Sequence, residues 1–143
     1  MGAVVVRVSR RFAATPRRVF DAWRDPPAGR RGLVATPDGA MQRVEIDARV
    51  GGGFTIVERR AQGDAAHYGR YVEIDRPQRL VFLFAVEPGD AGDRVTVEIV
   101  RDGDGCVLTL THEMSPEYAS YEPQTRSGWA MVLDSLARQL DHA

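Results

Sequence analysis

Val4, Val6 and Val8 alternate with more exposed-looking positions up to the Arg10-Arg11 doublet, the period-two pattern of a strand with one buried face, and they predict a strand over 3–12. The period then lengthens. Val19, Phe20 and Trp23 fall at helical spacing behind Thr15 and Pro16, which read as N-cap and first helical position. Asp25-Pro26-Pro27 ends this helix near Arg24, and residues 28–40 mix Arg, Gly and Pro with so little apolar rhythm that a short helix is the most expected there. Strand patterns follow at 43–50, 54–60, 68–74, 80–87, 94–101 and 106–114. Turn residues separate them at Gly51-Gly52-Gly53, at 61–66 with Gly63-Asp64, at Asp75-Arg76-Pro77-Gln78, at 88–93 and at Asp102-Gly103-Asp104-Gly105. The spacing leaves no room for crossover helices, so the strands form an antiparallel meander.

After Ser127-Gly128 the helical period returns, and Trp129, Val132, Leu133, Leu136 and Leu140 make one apolar stripe. Such a helix is not stable alone in water and must lay its stripe on the sheet. The reading is one α+β domain over 1–143, with no internal boundary or repeat.

Alternation assigns faces. Leu80, Phe82 and Phe84 share one side of their strand; so do Val95, Val97 and Ile99, and so do Cys106, Leu108, Leu110 and His112. Each set is expected to face the helix. Phe54, Ile56 and Glu58 oppose Thr55 and Val57, and Tyr71 and Glu73 oppose Val72 and Ile74; both strands carry apolar residues on both sides, and a bulge would change either assignment. Periodicity does not say whether the inward aromatic residues fill a core or line a cavity.

Composition narrows the chemistry. The 19 basic residues are all arginine, and without lysine the chain has no phosphate-loop lysine, no Schiff-base lysine and no kinase-type nucleotide lysine. The glycine triplet precedes a strand pattern rather than a helix, which is the wrong setting for dinucleotide binding. A net charge of -1, with arginines in isolated doublets, predicts no nucleic-acid partner. No apolar run reaches membrane-spanning length and the start lacks a signal-peptide core, so no membrane insertion and a cytoplasmic location are expected. The single cysteine, Cys106, fits a reducing compartment and shares the inward parity of its strand, which suits packing better than nucleophilic attack.

His112 is the most suggestive ionisable residue, closing the inward row of its strand. It reads either as a structural histidine or, with Glu58 and Glu73 meeting it across a cavity, as part of a proton-transfer group. His67 sits beside a turn and His142 next to the terminus, so no metal-ligand spacing arises; no metal, no cofactor and no assigned catalytic residue are expected.

The order strand, short helix, six-strand meander, long helix resembles the helix-grip fold of the START-like (SRPBCC) superfamily. Within it, the segment 14–23, the run Arg49-Val50-Gly51-Gly52-Gly53-Phe54, the stretch 69–82, Leu108-Thr109-Leu110-Thr111-His112 and Gly128-Trp129 with its leucine stripe resemble the activator of heat-shock-protein ATPase homologue family. The departure lies at 25–41, where family members often carry a tryptophan and this chain has Ala28-Gly29-Arg30-Arg31-Gly32-Leu33. The resemblance implies a curved sheet wrapped around the C-terminal helix, with residues 28–40 near the entrance of a cavity that binds a hydrophobic or amphipathic small molecule. The candidate ligand-contacting residues are Trp23, Phe54, Ile56, Tyr71, Phe82, Phe84, Val97, His112, Trp129 and Leu133. A cyclase- or aromatase-like enzyme using His112 and a carboxylate is the alternative, and a co-chaperone-like interaction module is another. A homodimer is left open, and a chaperone partner is not expected.

Overall fold

A computed structural model describes residues 4–24, 40–47, 49–60, 63–85 and 92–141. Strand β1 (Val4–Phe12) leads into helix α1 (Pro16–Arg24), followed by β2 (Ala40–Ile46), β3 (Gly53–Arg60), β4 (Gly63–Asp75), β5 (Arg79–Ala85), β6 (Asp93–Asp102) and β7 (Gly105–Met114). A short 3-10 turn (Pro116–Tyr121) precedes the long helix α2 (Glu122–Asp141). The seven strands form one sheet in the order β1-β7-β6-β5-β4-β3-β2, every pair antiparallel. The meander read from the sequence is thus present, and β1 closes it by pairing with β7. This is the helix-grip α+β architecture. The segment 28–40, except for Ala40 at the start of β2, lies outside the described residues, as do 86–91.

Helix α1 starts as its residues dictate. The Arg18 N–H donates to Thr15 Oγ1 at 3.4 Å and the Val19 N–H to the Thr15 carbonyl at 3.1 Å, which caps the helix at the expected residue. Its outer side is tied down by Arg76, whose guanidinium forks onto both Asp21 oxygens at 2.7 Å each. These hydrogen bonds and the Asp21 charge raise the Arg76 guanidinium above its already high ordinary value.

The inner face carries the core. Val95, Val97 and Ile99 of β6 and Cys106, Leu108 and Leu110 of β7 are buried against Phe20 of α1 and Leu133 and Leu136 of α2. The outer face is polar, with Arg79 bridging Glu73 and Glu98, and Ser9 paired to Thr109. Val81 is an exception: it lies on that outer face, in register with Glu73 and Thr96, and is wholly buried.

Three elements depart from the sequence reading by more than two residues. β2 runs Ala40–Ile46 rather than 43–50, because the chain turns back from Asp47: its N–H donates to the Gly53 carbonyl and the Gly52 N–H to Arg49, with Gly51 at φ +86°. β4 begins at Gly63 rather than 68, since Gly63 to Tyr68 pair with β3 in unbroken register and override the turn character of Gly63-Asp64. α2 begins at Glu122, so Ser127 and Gly128 lie inside the helix rather than ahead of it.

Candidate functional site

Five elements converge on one aromatic cluster. The apolar side of α1 delivers Trp23 and that of α2 delivers Trp129, with ring centroids 6.3 Å apart. From the sheet, β3 contributes Phe54 and Ile56, β4 contributes Tyr71, and β5 contributes Leu80, Phe82 and Phe84. These residues, with Ile46 of β2, wall a void of about 20 Å³. Phe54 sits at the centre of the sheet side, 5.9 Å from Tyr71, 5.6 Å from Phe82 and 6.4 Å from Phe84. Phe84 approaches Trp129 to 5.1 Å across the layers. Such tilted and edge-on pairs are the favoured aromatic geometries.

Tyr71 faces the void in step with Gly69, and an irregularity just after it turns Ile74 to the same side. The register passes from Tyr71 opposite Phe82 directly to Glu73 opposite Val81, leaving Val72 as an extra residue. The bulge puts Tyr71 and Ile74 on the inner face and Glu73 on the outer, whereas simple alternation pairs Tyr71 with Glu73. The β2–β3 turn pins this point, since the Gly51 N–H donates to the Tyr71 carbonyl and the Tyr71 N–H to the Gly52 carbonyl.

Gly69 shapes the floor. It stands opposite Phe54 in the ladder, and a Cβ there would overlap the Phe54 ring, so the absent side chain is the space the ring occupies. His67, two residues earlier on the same face, stacks on Phe84 with centroids 5.6 Å apart. It belongs to the aromatic cluster rather than to a turn. Gly69 was legible in the parity of Tyr71, and His67 becomes so once β4 is extended back to Gly63.

Of the ten expected ligand-contacting residues, the fold brings Trp23, Phe54, Ile56, Tyr71, Phe82, Phe84 and Trp129 together around the void. Val97 and Leu133 are wholly buried in the adjoining core and do not reach it. His112 stands behind Trp129. Ile46 and Leu80 were missed as void-lining residues, although Leu80 was already placed on the inward face.

His112 sits in a hydrogen-bonded chain. The Trp129 indole N–H donates to His112 Nδ1 at 2.9 Å, and His112 Nε2 lies 2.8 Å from Asp93 Oδ2. An indole can only donate, so Nδ1 is the acceptor nitrogen and Nε2 carries the proton given to Asp93. Both ring nitrogens are therefore occupied, and no lone pair is left for a substrate proton. The expected meeting of His112 with Glu58 and Glu73 does not occur: Glu58 is buried on the inner face of β3, Glu73 pairs with Arg79 on the outer face, and the carboxylate on His112 is Asp93. Asp93 was hidden from the sequence reading by its position at the end of a glycine-containing loop.

One polar group in the walls remains without a partner. Trp23 is 95% buried, and its Nε1–H has no hydrogen-bond acceptor among the described residues. Leaving such a donor unmet costs about 1–3 kcal/mol. Cys106, by contrast, is packed in the core with its thiol directed at the Ala14 carbonyl, and burial pushes that thiol up. Among the described residues no cluster of His, Cys, Asp and Glu is assembled to hold a metal, and no helix is long and apolar enough to cross a membrane.

The sequence model of the family described as "Activator of Hsp90 ATPase homolog 1-like protein" matches residues 13–141. Among solved structures, protein CV1439 from Chromobacterium violaceum is 28% identical, with a TM-score of 0.81 over 95% of this chain and 96% of that one. An AHSA1-like protein from Aeromonas hydrophila is 22% identical, with a TM-score of 0.83 over 97% and 93%. CalU16 from Micromonospora echinospora is 26% identical, with a TM-score of 0.71 over 95% of this chain and 75% of that one. Among curated proteins there is no match.

Proposed function

Because the chain belongs to the family of Activator of Hsp90 ATPase homolog 1-like proteins, we propose that it uses the helix-grip scaffold to hold an apolar or aromatic small molecule between the sheet and α2. The observation that carries this reading is the aromatic-walled void where α1, α2 and β3 to β5 meet. β6 and β7 meet the helices mainly through aliphatic residues. Around the void the layers meet on rings, two of which, Phe54 and Phe84, are only partly buried.

The void admits one water molecule, far below the roughly 300 Å³ or more of a drug-sized ligand pocket. Binding therefore requires ring displacement, and Phe54 and Phe84 are the rings least enclosed by neighbours. A cytoplasmic setting suits this role, since Cys106 is a free, buried thiol. An enzyme of the cyclase type that uses His112 as a base is disfavoured, because both His112 nitrogens are already bonded.

The first measurement is native mass spectrometry of the purified protein, followed by solvent extraction and identification of any co-purifying molecule. A stoichiometric apolar compound supports the reading; no such compound, and no binding from a panel of aromatic metabolites, removes it. With a binder in hand, Phe84→Arg places a charge in the apolar wall and is expected to weaken binding at least about tenfold. A folded variant of unchanged affinity takes Phe84 out of the site.

A further inference from the structure

The walls of the void bring two indoles together, and the two N–H groups have different fates. That of Trp129 is committed to His112 Nδ1 at 2.9 Å. That of Trp23 is buried without an acceptor among the described residues. A buried donor in a native fold is normally met, so an unmet one on a side chain that walls the void points to an absent acceptor. Water is a poor candidate: the void of about 20 Å³ holds one molecule, and a buried water settles with about three hydrogen bonds where these walls are mostly hydrocarbon. An acceptor carried on an apolar ring system satisfies the indole and keeps the remaining surface apolar. Among the described residues no charged side chain lines the void, so a neutral oxygen fits better than a carboxylate, whose burial without a cation is costly.

We propose that Trp23 Nε1–H is the anchoring donor of the site, and that the preferred ligand is a neutral ring compound with one hydrogen-bond acceptor, of the ketone or ether kind, rather than a hydrocarbon. This rests on the ligand-binding reading above and specifies its chemistry. The site selects by a buried polar group: a compound with the oxygen meets the donor, and one without it leaves the donor unmet.

The test uses a matched pair of probes, 1-tetralone and tetralin, which share the fused ring frame and differ in the carbonyl. The chain has two tryptophans, so the indole region of a 15N-labelled sample holds two signals, and Trp23→Phe identifies which is which. The expected result is that 1-tetralone moves the Trp23 indole proton downfield in the wild-type protein while tetralin does not. Trp23→Phe is expected to lower the preference for 1-tetralone over tetralin about tenfold, equivalent to about 1.4 kcal/mol, on top of any change that the smaller ring makes to both affinities alike. The Trp129 indole signal, held by His112, reports that the variant remains folded. Should both probes bind equally well to both proteins with no shift at Trp23, the anchoring role is overturned and the apolar-ligand reading stands. Should neither probe bind the wild-type protein, the inference falls together with the reading beneath it.

Discussion

Gly69 and Phe54 show how much of the site rests on a single missing side chain. The ring occupies the space a Cβ at Gly69 would need. Gly69→Ala is therefore expected to displace Phe54 and to cost about 1–3 kcal/mol, the usual penalty of overpacking, measured by urea denaturation. Unchanged stability would mean that the ring moves freely and that the floor is not set at this position. At the same scale, the inward rank of Leu108 and Leu110 was readable from alternation, because Thr109 and Thr111 stand on the other side of the strand; in β5 the other side is Val81 and Leu83, so period two grouped Phe82 with Phe84 while polarity did not separate the faces. The partner of His112 was not readable. Asp93 lies 19 residues away in sequence and reaches His112 only across the β6–β7 pair. The same holds for the Trp23 indole: its sequence context marks a helix face, and only packing decides whether its N–H meets an acceptor.

Among the elements, β4 and α2 depart most from their local signals. β4 is interrupted by a bulge at Val72, which turns Tyr71 and Ile74 inward together. Neither residue type nor period announces that extra position, since apolar residues stand on both sides of the strand around it. α2 extends five residues further toward its N-terminus than Ser127, from Glu122, and so encloses Gly128. Nothing lies within 4 Å of a Cβ built on Gly128, and its backbone is not in the left-handed region. Gly128→Ala should then stabilise the protein by about 0.4–1 kcal/mol, through the smaller conformational freedom of the unfolded chain, seen as a higher thermal midpoint. A lower midpoint would show that the glycine serves a contact or a motion that the helix needs.

For the whole molecule, the decisive pairing is between the ends of the chain. β1 pairs with β7 along its full length, Val4 opposite Met114 through Phe12 opposite Cys106, and α2 lies along β1. Removal of residues 1–12 would leave β7 as an open edge and strip α2 of its nearest strand. Such a protein is expected to lose its cooperative thermal transition, followed by circular dichroism; a retained sharp transition would show that the meander and helix suffice. The sequence by itself determined the fold class, the number of strands and the meander of the last six, the start of α1 and the apolar stripe of α2. These follow from local periodicity and capping chemistry, which act over a few residues. Only the tertiary structure decided which aromatic residues meet around a void, that His112 is bound at both nitrogens, that Ile74 joins Tyr71 on the inner face across a bulge, that β1 closes the sheet against β7, and that the Trp23 donor is left unmet. Those outcomes depend on register and on the approach of elements far apart in the chain, and a linear pattern carries no term for distance between its own remote parts.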